Sequence, residues 1–367
     1  MKLRLIVTGG GTGGHVFPAL EVARLAKAEG HEVIYLGSIR GQEMGACKRA
    51  AIPFRGFPSE PLYSLKSPKG WRAAINLLRA TAKARGAVRK IEADAVFSTG
   101  GYSSAPVVSA ARSLGVPFVL HEQNSVPGRS NLLSAKSAYL VATTFHSAAE
   151  HFQGCRVERT GLPVRQELRE VAASRRLELD VTPMQVLVVG GSQGAATLNE
   201  AVLATATRMT GRDLRWTHVT GRAHFETIFP TFEKLGLKNI CDVKSFLEGP
   251  AMAEAYSRAS LVIARSGAGT LSELAAFRLP SVLVPYPSAH ANHQFHNAKE
   301  IEGLGAAVTI EQAALHPSKL QDALEGWIDD SKRREAAQAA LMDWDQPDAA
   351  RRIVHILGEA ANSRRRS

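Results

Sequence analysis

Apolar residues along this chain come in short unbroken runs: LRLIV (3–7), EVIYL (32–36), DAVFS (94–98), PFVL (117–120), QVLVV (185–189), LVIA (261–264) and SVLVP (281–285). The runs are continuous rather than alternating, as in strands covered on both faces. Between them lie stretches of helical periodicity, among them FPALEVARLAKAEG (17–30), ATLNEAVLATATRM (196–209) and TLSELAAFR (270–278). Short buried strands alternating with helices predict an α/β protein with doubly wound parallel sheets.

The pattern restarts. LRLIVTGGGTGGH opens the chain, and QVLVVGGSQGA opens a second series at residue 185. Before it runs VRQELREVAASRRLELDVTP (164–183), polar and charged, which reads as an interdomain connection. The prediction is a first Rossmann-like domain over 1–161, a linker over 162–184 and a second Rossmann-like domain over 185–345. DAARRIVHILGEAA (348–361) reads as a terminal amphipathic helix, so that about 346–367 joins the first domain across the junction. Two such sheets facing a cleft place a ligand between them.

Bulk properties narrow the class. The 367 residues suffice for two ordinary domains. No apolar run reaches the roughly 18 residues of a membrane span. The opening MKLRLIVTGGG does not read as a signal peptide, because its short apolar core runs into a glycine loop. Three dispersed cysteines, Cys47, Cys155 and Cys241, fit a reducing compartment and offer no metal spacing. The net charge of +11 calls for an anionic partner: nucleic acid, a membrane surface or a phosphorylated small molecule. No aromatic platform interleaves the basic residues, which disfavours nucleic acid.

The first glycine loop contains G-x-G-x-x-G as Gly9, Gly11 and Gly14. A dinucleotide site needs an acidic residue at the end of the second strand, where this chain has Gly37 and Ser38. A P-loop needs G-K-S/T, and the loop continues G-H-V. What remains is an anion site built from backbone N–H groups around Gly13 and Gly14 at a helix start. GGSQGA (190–195) and ARSGAGT (264–270) repeat the arrangement, and three such turns favour a diphosphate held by backbone and helix dipoles.

Several side chains stand beside these loops. His15 follows the first one. The positive end of a helix disfavours a charged imidazole, which leaves His15 able to accept a proton. STGGYSSAP (98–106) and LHEQNSVPG (120–128) each follow a strand. There His121 and Glu122 are expected to pair as a structural hydrogen bond, with Asn124 reaching a sugar hydroxyl. Glu273 is expected in the first turn of its helix, either as a cap or as acceptor of a ribose diol. YPSAHANHQFHNA (286–298) is rich in neutral donors for sugar hydroxyls. Its His290, His293 and His296 have no carboxylate or thiol among them, which disfavours zinc. No metal site is readable, and a divalent ion stays open; no other cofactor is expected. DWD (343–345) reads as a turn and helix cap rather than a metal-binding Asp-x-Asp.

Assembled, the motifs resemble those of the MurG family, the UDP-N-acetylglucosamine transferases that convert lipid I to lipid II in peptidoglycan synthesis. GGTGGHVFPAL (10–20), STGGYSSAP, HEQNSVPG, GGSQGA, ARSGAGTLSEL and HQFHNA carry the resemblance, in order, over essentially the whole chain. It implies a GT-B fold and a cytoplasmic enzyme peripheral to the membrane. The reaction implied is inverting transfer of GlcNAc from UDP-GlcNAc to the MurNAc 4-hydroxyl of undecaprenyl-pyrophosphoryl-MurNAc-pentapeptide. Ser192 and the loop Ala268, Gly269, Thr270, Leu271, Ser272 and Glu273 would meet the diphosphate and ribose of the donor. Leu247 in KSFLEG would read uracil through its backbone. Gln294 and Asn124 would hold GlcNAc hydroxyls, and Arg165 in GLPVR would face the donor phosphates. Thr12, Gly13, Gly14 and His15 would line the side where the acceptor's diphosphate enters. Leu162 departs from the amide common in the family, and Arg129 and Leu132 differ too.

The base is read as His15, with Glu122 or a histidine of 290–296 as the other candidates. A UDP-GlcNAc epimerase, or another GT-B nucleotide-sugar enzyme, is the alternative class. Other cell-wall synthesis proteins stay open as partners. The segment SLKSPKGWRAAINLLRATAKARGAVRK (64–90) is expected to bind an anionic membrane surface. Trp71, Ile75, Leu78 and Ala82 form a helical stripe there, part of it expected in the core. Lys66, Lys69, Arg72, Arg79, Lys83, Arg85, Arg89 and Lys90 surround it, with no acidic residue in the segment.

Overall fold

The structure, a computed structural model, describes residues 2–59, 68–175, 182–191 and 195–366. The chain divides into two compact units. One comprises Met1–Arg165 with Gln346–Ser367, the other Gln166–Asp345. The chain thus holds two Rossmann-like units, each built on a parallel sheet.

In the first unit the strands are β1 (Arg4–Thr8), β2 (Glu32–Ser38), β3 (Phe54–Phe57), β4 (Ala95–Ser98), β5 (Phe118–Glu122), β6 (Leu140–Thr143) and β7 (Val157–Arg159). Their order is β3-β2-β1-β4-β5-β6-β7, all parallel. Alternate residues of β1 feed two cores. Leu5 and Val7 join the helix Gly13–Ala28 and the terminal helix Ala349–Arg366 through Ile353, Ile356, Leu357 and Ala360. Ile6 joins the core under the helices Pro68–Ile91 and Ala105–Ser113.

The second unit holds β8 (Met184–Val189), β9 (Leu214–Val219), β10 (Cys241–Lys244), β11 (Leu261–Ala264), β12 (Ser281–Leu283) and β13 (Ala307–Thr309), ordered β10-β9-β8-β11-β12-β13 and again parallel. In both units the strand order reverses beside the first strand, at β1/β4 and at β8/β11. Ligand loops of doubly wound sheets gather at that reversal.

One sequence expectation changes. The segment read as a linker over 162–184 contains the helix Gln166–Ser174, which belongs to the second unit and buries Leu168. Its charge is one face of an amphipathic helix, which a composition reading mistakes for a connection. In DWD, Asp343 and Trp344 close the helix Ser331–Trp344 and Trp344 is buried. Asp345 caps that helix and pairs with Arg169. The motif is thus a helix cap, as its sequence suggests, placed at the carboxyl end of that helix.

Candidate active site

The two loops at the β1/β4 reversal lock together through backbone. Gly10 N donates to the Gly100 carbonyl at 3.3 Å. Gly101 has φ +84°, and a Cβ there would lie 2.2 Å from the Gly10 carbonyl oxygen, so only glycine fits. Across this junction the His15 Nδ1 sits 2.8 Å from the Thr99 carbonyl oxygen. A carbonyl only accepts, so Nδ1 carries the hydrogen and Nε2 keeps its lone pair. The Thr99 hydroxyl returns a bond to the His15 carbonyl at 2.9 Å. His15 is half-buried near the start of the helix Gly13–Ala28. Thr12 forms that helix's extended, exposed N-cap, followed by Gly13 and Gly14. The imidazole is thus held from one side and presents a proton acceptor on the other.

At the end of β5 the predicted pairing of His121 with Glu122 is absent, because adjacent strand residues point to opposite faces. His121 donates from Nε2 to the Gly161 carbonyl at 2.9 Å and accepts from the Gln123 amide at 3.0 Å. Burial pulls its basicity down to about 4, so it is a neutral structural group. Glu122, 2% exposed, accepts from Asn124 N at 3.0 Å, Gly128 N at 3.1 Å and Asn131 Nδ2 at 2.8 Å. These three bonds tie the turn that carries Asn124. They assign Glu122 to loop construction and argue against it as the base.

In the second unit the motifs expected to meet a donor follow the carboxyl ends of β10, β11 and β12, and GGSQGA, which follows β8, is described only at Gly190, Gly191 and Ala195. Ser192 lies outside the described residues. Leu247 is half-buried in the loop between β10 and the helix Gly249–Arg258. The helix after β11 spans Ala268–Ala276 with Gly267 as its extended N-cap, two residues earlier than the periodicity suggested. Ala268, Gly269 and Thr270 form its first turn. Leu271 and Ser272 point inward and are buried. Glu273 therefore falls in the second turn, so it is not a cap. Its Oε2 accepts instead from the Tyr256 hydroxyl at 3.0 Å. After β12, the Gln294 side-chain oxygen accepts from Tyr286 N at 3.0 Å, while its backbone carbonyl accepts from the Ser266 hydroxyl at 2.7 Å. That leaves the Gln294 amide nitrogen as the donating end. Arg165 is half-buried at the close of GLPVR, at the division between the units.

Three supporting residues escaped the sequence reading. Arg265 is buried and donates to the Val284 and Pro285 carbonyls at 3.0 and 3.1 Å, which shapes the turn before Tyr286. Glu43 is fully buried, and its carboxylate occupies the space a side chain at Gly10 would need. Tyr256 orients Glu273. Glu43 and Tyr256 reach their motifs from elsewhere in the chain, and Arg265, inside ARSGAGT, binds carbonyls about 20 residues on; their flanking residues give no signal of these contacts. Among the described residues no group of three or more His, Cys, Asp or Glu is placed to hold a metal.

In the basic helix Pro68–Ile91, Ala80, Ala84, Ala87 and Val88 are the buried side. Trp71, Ile75 and Leu78 are 64, 47 and 72% exposed. The stripe expected to be partly core thus faces outward, beside exposed Arg72, Arg79, Lys83, Arg85, Arg89 and Lys90. Lys66 lies outside the described residues, as does the side chain of Lys69. No helix among the described residues is long and apolar enough to cross a membrane.

Residues 5–143 match the glycosyltransferase family 28 N-terminal domain and residues 185–353 its C-terminal domain. The UDP-N-acetylglucosamine–N-acetylmuramyl-(pentapeptide) pyrophosphoryl-undecaprenol N-acetylglucosamine transferase of Bacillus licheniformis is 34% identical, covering 97% of this chain and 98% of its own. The protein of the same name from Listeria monocytogenes is also 34% identical, covering 97% and 99%. The crystal structure of Acinetobacter baumannii MurG superposes with a TM-score of 0.80 at 29% identity, covering 97% and 99%.

Proposed function

The chain belongs to the MurG group of glycosyltransferase family 28, and from that premise we propose how its residues carry the reaction. It is an N-acetylglucosaminyltransferase that moves GlcNAc from UDP-GlcNAc to lipid I, forming lipid II. One observation carries the assignment to this chain's own geometry: GGTGGH and STGGY follow β1 and β4, and ARSGAGT follows β11, at the carboxyl ends of two parallel sheets and beside their strand-order reversals.

The acceptor atom is the 4-hydroxyl of MurNAc. His15 Nε2 takes its proton while its oxygen bonds to the anomeric carbon from the face opposite UDP. The bond from that carbon to the β-phosphate oxygen breaks, and the α-linked donor yields a β-1,4 product. The Nδ1 bond to Thr99 supports this role, because it fixes the tautomer that a base requires. Charge on departing UDP is met by Arg165 and by the first-turn N–H groups of the helix Ala268–Ala276. Ser192 belongs to the same diphosphate site, Glu273 receives the ribose diol and the Leu247 backbone meets uracil. Gln294 offers its amide nitrogen to GlcNAc hydroxyls, and Asn124 serves a sugar hydroxyl too. Thr12, Gly13 and Gly14 receive the acceptor's diphosphate.

The protein works at the cytoplasmic membrane surface as a peripheral enzyme, held by the helix Pro68–Ile91. Exposed Trp71, Ile75 and Leu78 among exposed cations support this, since each basic residue near an anionic leaflet is worth about 1 kcal/mol.

The test is incubation of purified protein with labelled UDP-GlcNAc, with and without a lipid I analogue. The expected result is a disaccharide-linked lipid only when acceptor is present. Rapid formation of a new UDP-sugar without acceptor would instead make the protein an epimerase.

A further inference from the structure

The Tyr256 side chain is 1% exposed, yet its hydroxyl reaches out to a carboxylate of the donor loops. Its ring packs on Phe277, centroids 5.3 Å apart. The half-buried Arg175 guanidinium clamps the surroundings. It donates to the Ser257 carbonyl at 3.0 Å, to the Ala259 carbonyl at 2.6 Å and to the Phe277 carbonyl. These bonds tie the end of the helix Gly249–Arg258 to the turn after the helix Ala268–Ala276. The phenol oxygen is therefore set by two helices and a cation that spans them. Its bond to Glu273 Oε2 holds one oxygen of a carboxylate carried on three side-chain torsions.

We propose that Tyr256 is the positioning residue for recognition of the donor's ribose: its hydroxyl holds Glu273 in the one orientation that accepts two neighbouring sugar hydroxyls. The inference rests on the assignment of Glu273 to the ribose diol. It adds a specificity function, because a fixed carboxylate distinguishes a ribonucleotide sugar from its deoxy counterpart, and a mobile one does so poorly. A fixed acceptor also spares the entropy of ordering its own side chain when the donor binds.

The experiment compares kcat/KM for UDP-GlcNAc and for its uridine 2′-deoxy analogue in the wild type, Tyr256→Phe, Glu273→Gln and the double variant. Phenylalanine keeps the packing on Phe277, and thermal midpoints check that each protein is folded. The wild type is expected to prefer the ribo donor by about 10- to 100-fold, the worth of one hydrogen bond to a charged acceptor. Tyr256→Phe is expected to shrink that preference about tenfold, most of the loss appearing in KM. In the Glu273→Gln background the same change is expected to add nothing further. A wild-type preference retained in Tyr256→Phe, while Glu273→Gln abolishes it, would reduce Tyr256 to packing and overturn the inference. A preference that survives Glu273→Gln would overturn the ribose assignment itself, and the inference with it.

Discussion

Replacing Glu122 by glutamine separates loop construction from proton transfer. The carboxylate takes three hydrogen bonds, Oε1 from Asn124 N and Oε2 from Gly128 N and Asn131 Nδ2. A glutamine keeps one acceptor oxygen. If it faces Gly128 and Asn131, its NH₂ group meets the Asn124 N–H, and two donors confront each other at a site only 2% exposed. One hydrogen bond to a charged group, worth about 1.5–3 kcal/mol, is lost, and a buried donor is stranded at about 1–3 kcal/mol. Relief from burying a charge offsets part of this. The expected net cost is about 2–3 kcal/mol, concentrated in the turn 123–128. Amide hydrogen exchange on that peptide is the local assay, and faster exchange by a factor of about 30–150 corresponds to the expected loss. Turnover should fall through KM as Asn124 loses its place, with the pH dependence of kcat kept. Unchanged exchange, together with a kcat reduced by 10² or more and flattened against pH, would make Glu122 the base and refute this reasoning.

Replacing His15 by alanine is expected to lower kcat by about 10²–10⁴ at saturating substrates; near-normal turnover would move proton transfer elsewhere. Gly101→Ala forces a Cβ to within 2.2 Å of the Gly10 carbonyl at φ +84°, so the first glycine loop must shift. A backbone cost of about 1–2 kcal/mol and a loss of turnover are expected, read by thermal melting and the transferase assay. Acid should weaken both units. Burial pulls His121 down to about 4 and His218 down to about 3, so the folded forms hold neutral imidazoles where the unfolded chain binds protons. Stability from each is complete above the unfolded value near 6.5 and falls by about 1.4 kcal/mol per pH unit as pH drops toward those folded values, read by urea titrations between pH 7 and 4.5. Changing Arg72, Arg79 and Lys83 to Glu is expected to abolish co-sedimentation with anionic vesicles at low salt. Equal binding by the reversed variant would free this helix from that role.

The strands legible in the sequence were those whose apolar runs are unbroken, such as Val186–Val189 and Leu261–Ala264. Of those missed, β6 lies inside its sheet but is only four residues long, and the others carry polar residues or lie at sheet edges. β9 contains Arg215, Thr217 and His218, and the outermost β3, β7, β10 and β13 are three or four residues long. An edge strand needs no second apolar face and so leaves no run to find. Site residues were legible when they sat inside glycine motifs, where backbone geometry restricts composition. Orientation was not legible. Whether Glu273 caps a helix depends on where the helix begins, and a shift of two residues changed its role. The partners of His121 and Glu122 lie 40 and up to 9 residues away, and only the folded sheet reveals which faces they share.

The terminal helix Ala349–Arg366 has a consequence for how the chain reaches its native state. It fills a core begun by Leu5 and Val7, although the whole second unit intervenes. Arg156 and Glu359, paired across this seam, are 203 residues apart. During synthesis the second unit, contiguous in sequence, can close as soon as Asp345 clears the ribosome. The first cannot complete its hydrophobic interior until residues near Ala361 arrive. Its early helices wait with Leu20, Val22 and Ala23 unprotected on that side. Such non-local closure is slow and exposes apolar surface meanwhile. Chaperone dependence and aggregation on C-terminal truncation should therefore originate at the amino-terminal half of the chain, although the cut is made at the other end.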